Sequence, residues 1–313
     1  METLAACPLC GSPELRGDGE KRDYVSGKSF RVQTCLACGL GFVNPRPDPE
    51  EIKAYYPSYY SWREDGSAGL ANRLEKFYRY QSLRYETARL RAFTRLASGE
   101  TLDVGCGSGD RLAVLEEAGF TPHGVEMGGA VEAALASGRW GITKGTVFSA
   151  DFPPGKFSAV TFYNVIEHIH APGEALRRAR RWLKTDGALV VQLPNRLCWQ
   201  ARLFGLRWAA VDIPRDLFYF DARTLRSAIE EAGFEVTHID HASHILHPPT
   251  WVLSLFPGLD PRLVWAENKL LKNLLKRAAW AAATAILGPL AKLEGLLGRG
   301  ALITAYARPR PGA

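Results

Sequence analysis

The stretch LDVGCGSGDRL, residues 102–112, joins a short apolar run to a segment with helical spacing. Three glycines alternate with other residues in the joining turn, namely Gly105, Gly107 and Gly109. Glycine there lets the backbone approach a ligand closely and leaves amides at a helix N-terminus to bind it. The Gly-x-Gly-x-x-Gly fingerprint of dinucleotide-binding proteins is absent, because position 110 is an aspartate. The stretch therefore predicts a strand, a ligand-binding turn and a helix.

Outward from this turn, short apolar runs alternate with helical patterns over residues 100–240. The predicted strands are TLDVG, HGVEM, FSAVTFY, GALVVQL and FEVTHID, and the predicted helices are RLAVLEEAG, GAVEAALAS, PGEALRRARRWLK and DARTLRSAIEEAG. Such alternation predicts an α/β fold, with a parallel sheet covered by helices on both faces. One more strand candidate, ALITAYA at 301–307, follows a mostly helical stretch from about 250 to 299.

Two carboxylates stand beside the predicted turn. Asp103 lies two residues before Gly105, and Glu126 ends the next strand, 21 residues after Gly105. A carboxylate at the end of that strand can accept hydrogen bonds from both hydroxyls of a ribose. Glu126 therefore indicates a ligand that contains a ribose at this edge of the sheet.

Together these segments resemble the class I S-adenosylmethionine (SAM)-dependent methyltransferases. LDVGCGSG is similar to the first motif of that family, GVEM is similar to the second, and residues 157–195 resemble its strand 4 to strand 5 block in the small-molecule branch. The resemblance implies a Rossmann-like, doubly wound sheet of seven strands whose last strand, here ALITAYA, is antiparallel. It also implies an enzyme that transfers a methyl group from SAM.

The resemblance also implies contacts with the cofactor, position by position. Asp103 and the three glycines would hold the methionine end of SAM, and Glu126 would hold its ribose. Thr146 falls where the family contacts adenine, although many relatives have an acidic residue there. Asn164, which follows the FSAVTFY strand, is a further candidate for cofactor binding.

Two residues are candidates for a catalytic base, which an oxygen or nitrogen acceptor needs in addition to in-line positioning. His168 matches a Glu-His pair of the family, and a purely structural histidine is the alternative. The segment 212–220 resembles one that usually carries Pro-Arg-His, and Asp216 stands in place of that histidine. Arg215 and Tyr219 are candidates for binding polar groups of the acceptor, with ordinary loop packing as the alternative.

Two Cys-x-x-Cys-Gly knuckles near the N-terminus, 24 residues apart, predict one structural zinc site. Its ligands would be Cys7, Cys10, Cys35 and Cys38. Four thiolates complete a tetrahedral zinc site and leave no position for catalysis. Between the knuckles, DYVSGKSFRVQTC predicts a hairpin that turns at Ser26-Gly27. A ribbon of this kind, followed by GFVNPRP and a Tyr-rich segment, resembles a subgroup of the family that modifies sugars or other small metabolites.

The predicted organisation has three parts. Residues 1–48 form the zinc ribbon, 49–97 an aromatic linker and an amphipathic helix, and 98–313 the methyltransferase domain, in which 250–299 is a helical cap or lid. Residues that recur at helical spacing predict the helix over 68–97 and its apolar face, namely Leu70, Leu74, Phe77, Tyr78, Tyr85, Ala88 and Ala92.

The charge of the ribbon bears on its partner. Residues 1–60 contain seven Lys/Arg and eight Asp/Glu, whereas the whole chain has a formal charge of +6. A ribbon that binds nucleic acid would carry an excess of basic residues. We therefore expect a small-molecule acceptor, such as a sugar or a lipid-linked glycan, and not nucleic acid. The alternatives are an RNA methyltransferase that recognises RNA through the ribbon, and a non-catalytic interaction protein on a degenerate SAM fold.

The cap region, 250–299, combines Trp, Leu and Ala with basic residues. We expect helices that bury their apolar side on the core; the alternative is an amphipathic lid that rests on a membrane. Its longest uncharged run, AAWAAATAILGPLA, is too short to span a bilayer and contains Gly288-Pro289. With no secretory signal pattern and with cysteine usage suited to a reducing compartment, we expect a cytoplasmic protein, with peripheral contact at the inner membrane face as the alternative. The sequence leaves the oligomeric state open.

A row of histidines precedes the cap. His238, His241, His244 and His247 recur at every third position. This spacing suits neither face of a strand and drifts around a helix, so separate histidines are favoured over a metal site.

Overall fold

The computed structural model describes residues 1–56, 70–129, 131–241, 247–259 and 270–311. The strands are β1 (Leu15–Arg22), β2 (Ser29–Cys35), β3 (Gly41–Val43), β4 (Gly99–Val104), β5 (Phe120–Glu126), β6 (Gly141–Lys144), β7 (Phe157–Tyr163), β8 (Leu183–Pro194), β9 (Phe218–Tyr219), β10 (Phe234–Asp240) and β11 (Leu302–Pro309). The helices are α1 (Leu70–Thr94), α2 (Asp110–Glu117), α3 (Val131–Ser137), α4 (Pro172–Trp182), α5 (Trp199–Phe204), α6 (Ala222–Glu231), α7 (His247–Leu255) and α8 (Leu270–Leu296). Short 3-10 turns occur at Glu51–Tyr55, Ile166–His168, Gly205–Arg207 and Pro257–Leu259.

The larger sheet confirms the predicted fold class. Its seven strands lie in the order β10-β11-β8-β7-β4-β5-β6, and β11 is antiparallel to both of its neighbours. The pairs β4–β5, β4–β7, β5–β6 and β7–β8 are parallel. The carboxyl ends of these strands therefore meet at one edge, where ligands of open α/β sheets bind.

One strand, β6, was not predicted from the apolar pattern. It has four residues, GITK, none of which is fully buried. An edge strand has one partner and one open side, so it does not need the continuous apolar run that marks β7. In β7 and β8, by contrast, residues such as Phe157, Phe162, Leu189 and Val191 are completely buried.

Helix α1 was predicted, but most of its predicted apolar face is exposed. Tyr85 is half-buried, and the side chains of Leu70 and Leu74 lie outside the described residues. Phe77 and Tyr78 are more than half exposed, and Ala88 is exposed as well. The buried side instead carries Ser82, Glu86, Thr87 and Leu90. Glu86 turns inward because it pairs at 2.7 Å with the guanidinium of Arg111, a buried cation at the start of α2. The helix is therefore oriented by a buried ion pair, which a search for apolar periodicity does not detect.

The smaller sheet is antiparallel and contains the predicted hairpin. Strands β1 and β2 pair on either side of a turn in which Gly27 has φ 71°. The sheet continues through β3 to β9, which comes from residues 218–219. The N-terminal ribbon (residues 1–48) thus shares its sheet with a strand that follows the predicted acceptor loop.

Helices α7 and α8 form the cap that was predicted after β10. Helix α8 continues through Gly288 and Pro289. Glu294, completely buried, accepts hydrogen bonds from the side chains of Gln200 (3.0 Å) and Trp251 (3.2 Å) and so joins α8 to α5 and α7.

Other parts of α8 face solvent with apolar side chains as well as with Lys292. Three of its large side chains are exposed by 46 to 76%, namely Ile286, Leu293 and Leu296. The expectation that the cap turns its apolar side to the core is therefore only partly met. Within the described residues, no helix has both the length and the apolar character needed to cross a membrane.

Candidate active site

The glycine turn after β4 has the geometry that its sequence predicts. Gly105, Gly107 and Gly109 have φ values of 80°, 54° and 88°, a region that favours glycine. A Cβ on Gly105 would collide with the side chain of Val165, which comes from the loop after β7. The backbone of the turn therefore lies directly against the loop that carries Asn164 and His168.

Glu126, at the end of β5, is held by the backbone on both of its oxygens. Its Oε2 accepts a hydrogen bond from the Gly107 amide at 3.0 Å, and its Oε1 accepts one from the Gly128 amide at 2.7 Å. Each carboxylate oxygen has two lone pairs, so each can accept one more hydrogen bond. The half-buried carboxylate is thus a fixed double acceptor, which fits the two hydroxyls of a ribose.

Asp103 is buried one residue before the end of β4. Its Oδ1 accepts a hydrogen bond from the Thr161 hydroxyl at 2.6 Å, and its Oδ2 lies 3.9 Å from Nε of Arg111. Burial raises the pKa of Asp103 to about 6, although Arg111 and Thr161 oppose the shift. Arg111 also stacks on the ring of Tyr163, 3.4 Å from its centroid. Arg111 was not identified from the sequence, although a basic residue in the first turn of a helix that follows a glycine turn could have indicated it.

The structure places the other two predicted cofactor contacts at the same edge. Asn164 is exposed directly after β7 and has φ 54°, a conformation that Asn tolerates better than most residues. Thr146 follows β6, and its hydroxyl oxygen accepts the amides of Phe148 and Ser149, each at 3.2 Å. In the structure, the Thr146 side chain therefore stabilises this turn. Its contact with adenine stays a prediction.

His168 is fixed by the loop after β8. Its Nδ1 lies 2.8 Å from the carbonyl oxygen of Arg215 and 3.3 Å from Oδ1 of Asp216. A carbonyl oxygen can only accept, so Nδ1 carries the proton and Nε2 keeps a free lone pair. The side chain is 21% exposed. This is the tautomer that a general base requires.

Two buried carboxyl groups accompany His168. Glu167, His168 and Asp216 bring ligand-type atoms within 4.8 Å of one another. Burial raises the pKa of Glu167 to about 7, and burial together with the charge of Asp212 raises the pKa of Asp216 well above its usual value. Oε2 of Glu167 is buried and has no hydrogen-bond partner among the described residues.

Two phenols complete this cluster. Burial and the charge of Asp216 raise the pKa of both Tyr56 and Tyr219. The hydroxyl of Tyr219 is buried and has no hydrogen-bond partner in the described part of the chain. From the sequence, Tyr219 was a candidate for binding the acceptor, Glu167 was noted only as the neighbour of His168 in the Glu-His pair, and Tyr56 had no predicted role.

Arg215 does not present its side chain to an acceptor, contrary to one of the two sequence-based expectations for it. The side chain is completely buried, and its guanidinium pairs with Asp212 at 2.5 Å and with Asp23 at 2.9 Å. It also donates to the carbonyl oxygen of Tyr55 at 2.7 Å. A buried guanidinium needs such partners because an unpaired buried charge is costly, so loop packing is the correct interpretation.

The four cysteines of the ribbon lie together as the knuckles predict. All four Sγ atoms are within 4.8 Å of one another, and the pairs Cys7–Cys38 and Cys10–Cys35 are 3.5 Å apart. Four sulfurs around a zinc ion, at about 2.3 Å from the metal, would be about 3.8 Å apart. The cluster is therefore compatible with zinc.

The histidine row shows no common site among its described members. The ring of His238 stacks on Phe93, with centroids 4.0 Å apart, and His241 is half-buried beyond the end of β10. His244 and the side chain of His247 lie outside the described residues.

The family described as "Methyltransferase domain" matches residues 77–239, just over half of the chain. The chain belongs to this family. The match includes Asp103, the glycine turn, Glu126, His168 and Asp216, and it ends before the cap. This methyltransferase is therefore a SAM-dependent enzyme, as the motifs predicted, and the non-catalytic alternative loses its support.

Named relatives of this methyltransferase agree. A ubiquinone biosynthesis O-methyltransferase of Pseudomonas aeruginosa is 28% identical over 160 residues, 46% of this chain and 68% of that protein. A probable S-adenosylmethionine-dependent methyltransferase of Mycolicibacterium smegmatis is 25% identical over 162 residues, 50% of this chain and 60% of that protein.

Solved structures show the same fold. The [4+2]-cyclase SpnF aligns with a TM-score of 0.50 at 22% identity, covering 73% of this chain and 81% of SpnF. A putative sarcosine dimethylglycine methyltransferase from Galdieria sulphuraria also has a TM-score of 0.50, at 12% identity, covering 74% of this chain and 86% of that one. Since one of these is named as a cyclase, the fold by itself does not define the acceptor chemistry.

Proposed function

We propose that this methyltransferase transfers the methyl group of SAM to a small-molecule acceptor, a sugar or a lipid-linked glycan, with His168 as the base. The observation that carries the proposal is the hydrogen bond from His168 Nδ1 to the Arg215 carbonyl, which leaves Nε2 free to accept a proton. His168 lies on the same loop as Asn164 and Val165, and Val165 packs against the glycine turn. The base and the cofactor residues thus share one edge of the sheet.

Each residue has a distinct part in the proposed reaction. Bound SAM supplies a methyl group on a positively charged sulfur. Glu126 binds the ribose hydroxyls, while Asp103 and the glycine turn hold the methionine end. His168 receives the proton of the reacting hydroxyl or amine on Nε2, and the nearby Asp216 stabilises the resulting imidazolium while it is ionised.

The pairing of charges on the ribbon supports a small acceptor over nucleic acid. Several of its basic side chains pair with acidic ones nearby, in the pairs Arg16–Asp18, Arg31–Glu20 and Arg46–Glu2. Cations that are already paired attract phosphates less. A named relative that acts in ubiquinone biosynthesis also supports a small acceptor.

The test is transfer of labelled methyl from SAM into a fractionated cell extract. We expect label in a sugar or lipid fraction with the wild-type chain and none with His168→Asn. Label that appears only in RNA would replace this proposal by the RNA methyltransferase.

We further propose that the ribbon holds one structural zinc ion through Cys7, Cys10, Cys35 and Cys38. Four thiolates at these distances suit zinc and leave no open coordination position. Elemental analysis should find about one zinc per chain. The double variant Cys35→Ser/Cys38→Ser should lose zinc and destabilise the ribbon, while its affinity for SAM stays near that of the wild type.

The exposed apolar side chains of α8 support a peripheral role for the cap, in which it rests on a membrane and admits a lipid-linked acceptor. Co-sedimentation with anionic vesicles tests this. No binding by the intact chain would remove the membrane contact and leave the rest of the proposal standing.

A further inference from the structure

The tip of the ribbon hairpin reaches the loop that holds His168. Asp23, at the start of the β1–β2 turn, is 1% exposed, and its Oδ1 accepts a hydrogen bond from Nη2 of Arg215 at 2.9 Å. The ring of the next residue, Tyr24, lies 4.6 Å from the Arg215 guanidinium. The hairpin tip therefore contacts this guanidinium with a charge and with an aromatic face.

Asp23 is itself well fixed. Its Oδ2 accepts hydrogen bonds from the amide and the hydroxyl of Ser26 at 2.7 and 2.6 Å. These bonds and Arg215 outweigh burial and lower the pKa of Asp23, so it is ionised at neutral pH. A carboxylate held in this way defines where the Arg215 side chain can lie.

The other end of Arg215 acts on His168. Its peptide carbonyl oxygen accepts a hydrogen bond from the Nδ1–H of His168, and Asp216 follows directly in the chain. Two hydrogen bonds close the turn around it, from the Asp216 amide to the Asp212 carbonyl at 2.7 Å and from the Asp212 amide to Oδ2 of Asp216 at 2.8 Å. A shift of the Arg215 side chain would therefore move this turn as a unit.

We propose that Asp23 and Arg215 are positioning residues, through which the ribbon orients His168 and selects its tautomer. The ribbon then belongs to the acceptor site although it touches no reacting atom. This inference rests on the proposed role of His168 as the base. Without the carbonyl contact the two neutral tautomers of imidazole compete, and a ring with its proton on Nε2 cannot accept another there.

The test uses Asp23→Asn in the full chain. An amide has the same shape, and its oxygen can still accept hydrogen bonds from the amide and the hydroxyl of Ser26, which retain most of the hairpin turn. Its NH₂ then takes the place of Oδ1, so the hydrogen bond from Nη2 of Arg215, the weaker one from the Val25 amide and the negative charge beside the guanidinium are all lost. A displacement of about 1 Å at a reacting group lowers turnover by about 100-fold. We expect kcat to fall by about 10- to 100-fold, with the affinity for SAM and the KM for the acceptor changed less than about threefold.

A spectroscopic readout separates positioning from general damage. In protein labelled with ¹⁵N on histidine, the His168 signals, identified by their loss in His168→Asn, report which nitrogen is protonated. We expect the Nδ1-protonated form in the wild type and a mixture in Asp23→Asn. The matched control is Glu20→Gln, which removes another ribbon carboxylate that pairs with an arginine, Arg31, at an exposed site. It should change neither kcat nor the His168 signals.

A folded Asp23→Asn variant with wild-type His168 signals and wild-type kcat would overturn the proposal. If Asp23→Asn does not fold, Tyr24→Leu, which removes the aromatic ring beside the Arg215 guanidinium, decides by the same two readouts. Full turnover by His168→Asn would instead refute the base assignment under the proposed function. The ¹⁵N signals of Asp23→Asn would then still show whether the ribbon sets the His168 ring.

Discussion

The two halves of the sheet edge are built in different ways. The half that we propose binds SAM, called the cofactor half, consists of the glycine turn after β4 and Glu126 at the end of β5, which lie within 21 residues of one another. The half that we propose faces the acceptor, called the acceptor half, consists of His168, the turn around Asp216 and the ribbon hairpin. Its contact between Asp23 and Arg215 joins residues 192 positions apart. The residues of the cofactor half are close in sequence and form a local motif, whereas those of the acceptor half are brought together only by the tertiary fold.

The halves also use different interactions. In the cofactor half, backbone amides hold Glu126, and positive φ angles shape the turn. In the acceptor half, buried charges balance one another, and the pKa of Glu167 and Asp216 is raised. If the halves are functionally separate, substitutions in one should leave the readout of the other unchanged.

Substitution of the proposed base should have the largest effect. His168→Asn removes the lone pair on Nε2 and should lower kcat by about 100- to 10,000-fold, the usual contribution of a general base. The affinity for SAM should stay within about twofold, because His168 does not belong to the cofactor half. Turnover with labelled SAM and calorimetric SAM binding measure the two quantities.

His170→Asn provides the matched control for this variant. His170 is two residues away, but its Nε2 lies 2.9 Å from the carbonyl oxygen of Pro47, in the ribbon. We expect nearly normal kcat from it. A comparable loss of kcat in both variants would show that the loop as a whole, and not the base, had been disturbed.

Glu167 tests the electrostatics of the acceptor half. Its pKa rises from an ordinary 4.5 to about 7 on folding. The folded state thus favours the protonated form, so this stability is fully present below pH 4.5 and is lost as the pH rises through 7. Glu167→Gln cannot ionise, so its stability does not change with pH through this group. The difference in free energy of unfolding, Glu167→Gln minus wild type, should therefore be about 3 kcal/mol larger at pH 8 than at pH 4.

Denaturant unfolding at the two pH values measures this difference. The control is Glu174→Gln, whose exposed carboxylate lies beside Arg178 on α4. Its stability difference from the wild type should hardly change with pH. A pH-independent difference for Glu167→Gln as well would mean that Glu167 stays ionised when buried, with a partner that neutralises it.

The sequence predicted the cofactor half almost completely, because its signals are local. Gly105, Gly107 and Gly109 allow the positive φ values that the structure shows, and Glu126 ends its strand as expected. The predicted order of strands and helices in the larger sheet was confirmed as well, apart from β6, which is too short and too exposed to have an apolar pattern. The short elements β3, β9 and α5 were not predicted either.

The acceptor half could be predicted only residue by residue. His168 and Asp216 were named from their positions, but no pattern shows that Arg215 turns away from the acceptor toward Asp23. The same limit explains the error in α1, where Glu86 is buried to pair with Arg111. Partners of buried charges are chosen by tertiary structure, and apolar periodicity does not report them.

Glu126→Gln tests the cofactor half alone and should have the smallest effect. One of its oxygens becomes an amide NH₂, which faces the Gly107 or Gly128 amide and cannot accept from it, and one ribose hydroxyl loses its charged acceptor. Because a hydrogen bond to a charged group contributes about 1.5–3 kcal/mol, we expect SAM affinity to fall by about 10- to 100-fold, nearer the lower end at this half-exposed site. At saturating SAM, kcat and the ¹⁵N signals of His168 should stay at wild-type values.

The matched control is Glu132→Gln, whose exposed carboxylate pairs with Lys144 of β6, and it should leave SAM affinity intact. A large loss of kcat in Glu126→Gln at saturating SAM would mean that the cofactor half also positions the acceptor, through the contact of Val165 with the glycine turn.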